Sequence, residues 1–361
     1  MNKNNYVIIM AGGIGSRFWP FSRKNMPKQF QDILETGTTL IQQTAARFRN
    51  ICPNENIYVV TNEIYYDLVK QQLPFMEDQQ ILLEPYMRNT APCIAYATKK
   101  ISLKNPNANL IIAPADHIIT EEENFEKCIL GALETTAQKD ILVTLGIRPT
   151  RPDTGYGYIQ VSTEEQLGIV SKVKTFTEKP NLEAAKVFLE SGEFVWNAGI
   201  FIWRVAVILE NFKKQLPDIF TPFHSITDAF FTDKEAECIK EVYYQCRNIS
   251  IDYGIMENAK NVYVLPSSFG WSDLGTWKSF YELSQKDENQ NVIHGNVMAY
   301  ETTNTIIKTT PNRLIITQGL DNYIVAEKDG VLVICQKDKE QEIKQYLSSV
   351  KDTYGDDSEF V

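Results

Sequence analysis

The chain has few of the features that mark secreted or membrane proteins. Its six cysteines are widely scattered and none of them forms a CxxC pair, which favours reduced, mostly buried thiols. No uninterrupted apolar run approaches the length needed to span a bilayer, and the N-terminus lacks the basic and apolar regions of a signal peptide. We therefore expect a soluble cytoplasmic protein with no membrane partner.

Positive charge is also scarce. The 361 residues include 36 Lys+Arg against 46 Asp+Glu, a net charge of −10, and the basic residues form no patch. A nucleic-acid backbone is therefore not an expected partner, although a small anionic ligand stays open because local charge matters more than the sum. The length and a hydrophobic content of 43% suffice for one large domain and a small one.

Two common nucleotide-binding patterns are missing. The glycines after the first strand fall at positions 12, 13 and 15, with Phe18 where the last glycine of GxGxxG would stand, and the Walker pattern GxxxxGK[ST] does not occur. The spacing therefore disfavours a dehydrogenase that binds a dinucleotide.

The most informative segment present is the loop AGGIGSRFWPFSRKNMPKQF at 11–30, which follows the apolar strand YVIIM. Its glycines let backbone N–H groups approach phosphate oxygens, while Arg17 and Lys28 supply positive charge. This combination predicts a triphosphate cradle. The alternative is a simple turn from strand to loop with both basic side chains in solvent.

Alternation of short apolar runs with helical patterns predicts the fold of the first 150 residues. Strands that are buried on both faces and separated by amphipathic helices indicate an α/β, Rossmann-like, mostly parallel mixed sheet with helices on both faces. Ligands of such sheets gather beyond the carboxyl ends of the strands, where the glycine loop, Glu84 and the PADH segment lie. The predicted strands are 6–10, 57–61, 81–84, 109–114 and 141–147, with helices near 39–49, 181–191 and 204–215.

The sequence texture changes after Asn289. Short β-rich runs follow through Cys335, and a last helix is predicted over about 338–350, with Ile343, Leu347 and Val350 on one face. We predict a catalytic domain over 1–287 and a small β-rich module with a terminal helix over 288–361.

Two aspartates are candidate metal ligands. Asp116 follows a buried strand, and Asp273 lies in the glycine- and tryptophan-rich loop FGWSDLGTW. Mg²⁺ usually takes one or two protein carboxylates, with phosphates and water completing its octahedron, so this pair suits it. The alternative for an aspartate at a strand end is a helix cap.

Glu84 is a candidate for recognition of a base. A carboxylate can accept two hydrogen bonds, and guanine offers N1–H and its 2-amino group side by side, whereas uracil and thymine present a donor beside acceptors. The same segment, ILLEPYMRNTAP, predicts a helix cap at Asn89 or Thr90. The alternative is a surface ion pair between Glu84 and Arg88.

Three further motifs supply groups that a sugar phosphate needs, namely TGYGYI, EKP and VWNAGIF. They bring glycine backbone, a carboxylate, an ammonium and an amide. Singly, these residues read as a turn, a surface pair and a capping residue. Asp252, in SIDYGIMEN, is a weaker candidate for the same site.

Nine motifs in order resemble one family, and they cover about residues 5–280: GGIGSRFWPFSR, PKQF, EPYMRNTAP, PADH, TGYGYI, FTEKP, WNAGIF, SIDYGIME and WSDLGTW. The chain resembles the mannose-1-phosphate guanylyltransferases, or GDP-mannose pyrophosphorylases, within the sugar nucleotidyltransferases. The resemblance implies three sets of residues: Gly12, Gly13, Gly15, Ser16, Arg17, Lys28, Glu84, Asn89 and Thr90 for the nucleotide, with Arg17 and Lys28 catalytic; Gly157, Glu178, Lys179, Asn197 and Asp252 for the sugar phosphate; and Asp116 and Asp273 for Mg²⁺, or Mn²⁺.

The resemblance also implies a reaction. GTP and mannose 1-phosphate give GDP-mannose and pyrophosphate by direct attack on the α-phosphorus, without a protein nucleophile. It further implies a compact form without the fused isomerase domain of longer bacterial members, and a β-helix-like tail that serves a homodimer. Two alternatives stay open: a transferase for another base or hexose phosphate, and a regulatory paralogue that binds GDP-mannose without turnover.

Overall fold

The computed structural model describes residues 2–361, which divide into two compact units. The large unit contains the chain up to Gly12, then Ile41–Ala115 and Ile119–Trp271. The small unit contains Gly13–Leu40, Asp116–Ile118 and Ser272–Val361. These units join segments that are distant in sequence, so the predicted boundary at 287, which divides the chain linearly, stays a prediction.

A nine-stranded mixed sheet forms the centre of the large unit, in the order β3-β2-β1-β4-β9-β6-β10-β8-β7. β1 lies parallel to β2 and β4, β2 to β3, and β6 to β10, whereas β9 runs antiparallel to β4, β6 and β7. The bounds up to Ser272 are β1 Asn5–Met10, β2 Ile57–Asn62, β3 Ile81–Glu84, β4 Asn109–Pro114, β5 Ile118–Ile119, β6 Leu142–Ile147, β7 Tyr158–Leu167, β8 Val170–Thr177, β9 Phe194–Arg204, β10 Val262–Ser267 and β11 Trp271–Ser272.

The apolar runs of the sequence become the buried strands. Val7, Ile8 and Ile9 of β1 are completely buried, because parallel strands in the middle of a sheet are covered on both faces. Each of the five strands predicted in the first 150 residues is present within one residue of its expected bounds, and the Rossmann-like mixed sheet is confirmed.

Helices cover this sheet. Predicted helices are confirmed at α1, α5 and α6. The bounds are α1 Leu40–Arg47, α2 Tyr66–Gln72, α3 Thr90–Lys104, α4 Glu122–Gln138, α5 Leu182–Ser191, α6 Val205–Gln215, α7 Pro217–Ser225 and α8 Glu235–Gln245, followed by a π-helix at Asp252–Met256. No helix within residues 2–361 is both long enough and apolar enough to cross a membrane.

The small unit is β-rich, as the sequence predicts for its C-terminal part. One sheet has the order β12-β14-β16-β17 and a second pairs β13 with β15; most of these pairs are parallel. Its core contains Phe18, Trp277 and Phe280, with the Phe18 and Trp277 rings stacked 5.0 Å apart. The bounds are β12 Val292–His294, β13 Asn296–Tyr300, β14 Ile306–Lys308, β15 Leu314–Gln318, β16 Tyr323–Lys328, β17 Val331–Gln336, α9 Trp277–Leu283 and α10 Ile343–Tyr354.

The last helix departs from its predicted start, whereas the cysteines are as expected. The helix begins later than predicted, because 3₁₀ turns occupy Lys337–Glu342 before α10. All six cysteines are free thiols and four of them are buried, as expected from their spacing.

Candidate functional site

The turn that contains Lys28 holds the glycine loop of the small unit through hydrogen bonds to the loop backbone. The backbone N–H of Lys28 donates to the Ile14 carbonyl at 3.3 Å, and Gln29 Nε2 donates to the Gly13 carbonyl at 2.9 Å. Gly15 has a φ of 76°, and a Cβ there would lie 2.8 Å from Lys28 Cβ. Only glycine meets both conditions, so Gly15 fixes how closely the loop lies on the lysine.

The Lys28 ammonium is buried and fully engaged. Its side chain is 3% exposed, and Nζ lies 2.8 Å from Asp116 Oδ2. The same nitrogen donates at 2.9 Å to the backbone carbonyls of Asp273 and Leu274. An ammonium has three donors, and these three contacts with the protein occupy all of them. The two predicted metal aspartates are thereby brought to one lysine.

The charge state of Asp116 follows from this neighbour. Burial raises the pKa of Asp116, but the Lys28 ammonium and His117 outweigh burial, so its pKa lies below the ordinary value. Asp116 is therefore ionised at neutral pH, as a metal ligand must be. In the described part of the chain, no group of three or more His, Cys, Asp or Glu could hold a metal, so an ion here would take its other ligands from phosphate and water.

Arg17 lies in the 3₁₀ turn Ser16–Phe18, directly after Gly15. Its Nε is buried and has no hydrogen-bond partner among the described residues. Buried donors are normally satisfied, and an unsatisfied one costs about 1–3 kcal/mol. This donor points to an acceptor that the protein itself does not supply, which an anionic ligand would provide.

In the large unit, Glu84 ends β3 and is buried, with 6% exposure. Oε1 accepts a hydrogen bond from the Tyr243 hydroxyl at 3.0 Å, and a Cβ on Gly12 would lie 3.1 Å from Oε2. Burial raises the pKa of Glu84 and the hydrogen bond from Tyr243 lowers it. Burial has the larger effect, and the resulting pKa is about 7. Arg88 donates instead to the backbone carbonyl of Tyr243. The alternative of a surface pair with Arg88 is therefore wrong.

Asn89 caps α3, as the sequence predicts. Its side chain accepts from the backbone N–H of Thr90 at 2.9 Å, and its backbone, at φ 69° and ψ −172°, is in a strained region that glycine normally occupies. The Thr90 hydroxyl accepts from the backbone N–H of Ile251 at 2.9 Å. Thr90 therefore holds the start of the segment that carries Asp252.

The predicted sugar-phosphate residues come together in the large unit. Asn197 lies in β9, so it is not the capping residue that it resembles in isolation, and its Nδ2 donates to Asp252 Oδ1 at 2.8 Å. Lys179 Nζ donates to Glu178 Oε1 at 2.8 Å. A Cβ on Gly157 would overlap Glu178 Oε2, so any larger residue there would displace the Glu178 carboxylate. Asp252 has a partner that its sequence context did not reveal.

Two carboxylates of this cluster face each other. Burial and the charge of Glu178 raise the pKa of Asp252 to about 7. The Glu178 side chain is 9% exposed, and its Oε2 is buried with no hydrogen-bond partner in the described residues. An unpaired buried acceptor beside a glycine suits a ligand hydroxyl.

Sequence reasoning missed two residues of these clusters. Tyr243 bonds Glu84, and the Thr144 hydroxyl donates to Asn197 Oδ1 at 2.9 Å. Ile239, Val242, Tyr243 and Cys246 recur at helical spacing, a signal that predicts burial of Tyr243 but not its partner.

Replacing Lys28 tests its structural role. We expect Lys28→Ala to lower the free energy of unfolding by about 3 kcal/mol, because it leaves the Asp116 carboxylate and two carbonyls without their donor; Asp116 is 34% exposed, which limits the loss. Lys24→Ala is the matched control, since its ion pair with Asp357 is exposed to solvent and stabilises the fold little. Urea unfolding measures both, and equal effects would contradict this role.

Asp252 predicts a pH dependence. Between about pH 4 and 7 the folded protein keeps a proton on Asp252 that the unfolded chain loses, so this group lowers stability as pH rises. Asp252→Asn should therefore gain on the order of 2 kcal/mol relative to the parent at pH 8, and less than half of that gain at pH 5. Urea unfolding at both pH values checks this, with the exposed Asp233→Asn as control. A gain that does not depend on pH would contradict the assignment.

Comparisons with known proteins give the family. The model described as "Nucleotidyl transferase" matches residues 6–290, and the "MannoseP isomerase/GMP-like beta-helix domain" matches 295–349. Mannose-1-phosphate guanylyltransferase of Escherichia coli is 34% identical over 94% of this chain and 74% of that protein. Alginate biosynthesis protein AlgA of Pseudomonas syringae pv. tomato is 37% identical over 96% of this chain and 71% of its own length.

Solved structures agree on the fold. The crystal structure of mannose-1-phosphate geranyltransferase from Thermus thermophilus matches with a TM-score of 0.86 and 29% identity, covering 96% of this chain and 99% of that one. Mannose-6-phosphate isomerase from Helicobacter pylori matches with a TM-score of 0.61 and 25% identity, covering 74% and 99%. With a family model over most of its length and relatives above 30% identity, the chain belongs to the nucleotidyl transferase family.

Proposed function

We propose that the protein makes GDP-mannose and pyrophosphate from GTP and mannose 1-phosphate. The observation that carries this proposal is the match, over nearly the whole chain, to relatives named mannose-1-phosphate guanylyltransferase at 34–38% identity. The two clusters of polar residues divide the task. One cluster, with Arg17, Lys28 and Asp116, binds phosphate and metal, and the residues around Glu84 and Glu178 bind the base and the sugar.

The triphosphate is bound by Gly13, Gly15, Ser16 and Arg17, with Lys28 beneath them. The unpaired Nε of Arg17 supports an anion at this loop. Open space beside Gly13, where a Cβ would meet nothing within 4 Å, supports close approach of a ligand to the backbone. Gly12 contributes from the end of β1.

Asp116 and Asp273 would hold the divalent metal, which is Mg²⁺ or Mn²⁺. The fit is supported by the lowered pKa of Asp116 and by the Lys28 ammonium, which contacts the carboxylate of one aspartate and the carbonyl of the other. When bound, the ion neutralises charge that develops on the phosphates. Lys28 holds Asp116 ionised and in place.

Mannose 1-phosphate is bound by Gly157, Glu178, Lys179, Asn197 and Asp252. Glu178 Oε2 accepts a hydrogen bond from a sugar hydroxyl, because this oxygen is buried and has no hydrogen-bond partner among the described residues. Lys179, whose side chain is half exposed, is available to the phosphate. Asn197 and Asp252 orient each other through their shared hydrogen bond.

Guanine is selected by Glu84, with Asn89 and Thr90 shaping the same segment. A carboxylate accepts both N1–H and the 2-amino group of guanine, whereas uracil and thymine would place an acceptor against it. Only the ionised form of Glu84 accepts both of these hydrogen bonds, and its pKa of about 7 leaves this form available near neutrality.

The chemical step needs no protein nucleophile. The phosphate of the sugar is already ionised at neutral pH and attacks the α-phosphorus of GTP in line, with pyrophosphate as leaving group. The residues of the protein hold the two substrates in the orientation needed for attack and neutralise the negative charge of the phosphates. Arg17 and Lys28 are the catalytic cations, Arg17 at the phosphates and Lys28 by its field.

A substrate panel tests this function. We expect pyrophosphate release in Mg²⁺ to be at least about tenfold faster with GTP and mannose 1-phosphate than with ATP, UTP or dTTP, or with glucose 1-phosphate, because a single mismatched polar contact costs about that factor. EDTA should abolish release. Dominant use of UTP or dTTP would overturn guanine selection, and no release with any pair would favour a binding protein without turnover.

The homodimer is supported by an exposed apolar face on the small unit. Met298 of β13 lies opposite Ile316 of β15, and Tyr300 and Leu314 share that face; all four side chains are exposed. Such faces mark interaction surfaces. The β-rich module at 288–361 is thus proposed to serve dimer contacts, beside the catalytic domain at 1–287. The free thiols support a cytoplasmic location.

Light scattering after gel filtration tests the dimer. The parent should have about twice the 41.3 kDa mass of one chain. Ile316→Lys should lower the measured mass toward that of one chain, because the dimer contact would bury a charge. Val187→Lys is the matched control, since Val187 on α5 is as exposed as Ile316, at 61% each. A monomeric parent would contradict the proposal.

A further inference from the structure

The Glu84 side chain has a hydrogen-bond partner, Tyr243, that the sequence did not single out. It lies in α8 and is completely buried, and its hydroxyl donates to Glu84 Oε1 at 3.0 Å. Its ring is fixed by edge contacts with Phe223 at 5.8 Å and Tyr96 at 6.3 Å between centroids. The hydroxyl is therefore delivered to the carboxylate by a rigid ring.

The rest of Glu84 is held equally firmly. Asn62 Nδ2 donates to the Glu84 backbone carbonyl at 3.1 Å, which fixes the end of β3. Oε2 lies beside Gly12, where a Cβ would come within 3.1 Å of it. The carboxylate is thus fixed at its backbone and at one oxygen, while the other oxygen faces the end of β1, where the glycine loop begins.

We propose that Tyr243 is a positioning residue for base selection, because its hydroxyl fixes the orientation in which the Glu84 carboxylate meets the guanine edge. This inference rests on the proposed function. A carboxylate has about four lone-pair sites, so one bond from Tyr243 leaves enough for N1–H and the 2-amino group. Tyr243 touches no substrate and acts through Glu84 alone.

The same bond affects the charge of Glu84. The groups that face this carboxylate are Tyr243 from α8, and Cys93 and Tyr96 from α3. Burial raises the pKa of Glu84, and the Tyr243 hydrogen bond opposes burial by stabilising the ionised form. Loss of the hydroxyl therefore raises the pKa. A protonated carboxyl would turn an O–H toward the two guanine donors, so GTP recognition would fail at a higher pH than in the parent.

Kinetics of Tyr243→Phe with GTP and with ITP, which lacks the 2-amino group, test this role. We expect the parent to prefer GTP, and the preference in kcat/KM to fall about tenfold in the variant, the effect of losing one hydrogen bond to a charged group. The acidic limb of the pH profile for GTP should move to higher pH. KM for mannose 1-phosphate should stay unchanged, since Glu84 contacts only the base.

Two controls separate positioning from stability. Tyr244→Phe alters the neighbouring tyrosine of α8, which is 75% exposed, and should match the parent. Tyr96→Phe removes another buried hydroxyl, which bonds Glu235 rather than Glu84, and should lower stability without changing the preference for GTP. Glu84→Asp keeps Tyr243 and the charge but withdraws the carboxylate by one methylene, so it too should lose the preference, even if Tyr243→Phe does not fold.

The outcomes are distinguishable. If the parent prefers GTP, Glu84→Gln loses that preference and Tyr243→Phe keeps both the preference and the pH profile, the positioning role is overturned and the proposed function stands. Retained preference in Glu84→Asp overturns the role as well. If the parent does not discriminate GTP from ITP, or Glu84→Gln is unaffected, base selection by Glu84 fails and this inference fails with it.

Discussion

The small unit depends on the contacts of one buried ammonium, that of Lys28. Lys28 belongs to Gly13–Leu40, Asp116 to the three-residue segment Asp116–Ile118, and the carbonyl acceptors at Asp273 and Leu274 to Ser272–Val361. A charge removed from water is costly unless it is paired and hydrogen-bonded. The lysine therefore requires all three segments at once, and it contacts the carboxylate of one metal candidate and the backbone carbonyl of the other.

The environment gives chemically similar carboxylates different charge states. Asp116 has a lowered pKa because a cation contacts it, whereas Glu84 and Asp252 have pKa values near 7 because burial outweighs their hydrogen bonds. A metal ligand must stay ionised across the working pH range, and the lowered pKa of Asp116 meets that need. Glu84 must also be ionised to accept both guanine donors, but its pKa of about 7 makes its charge change near neutrality.

Prediction from sequence succeeded where local physics decides. The strand over 81–84 and the Asn89 cap were predictable, because apolar runs and capping residues act over a few positions. The surface pair of Glu84 with Arg88 was wrong, since neighbours in sequence did not become partners. Asn197, taken singly as a cap, lies in β9, and its partner Asp252 is 55 positions away. The roles of these residues stay predictions.

The sequence by itself determined the strand and helix pattern, the family and the residue types available for phosphate, metal, base and sugar. Those follow from periodicity and from ordered motifs, which are local. Only the tertiary structure decided the partners: Tyr243 for Glu84, Asn197 for Asp252, and Lys28 for Asp116. Burial and charge at a side chain depend on segments that are distant in the chain, and those same quantities set its pKa and its chemistry.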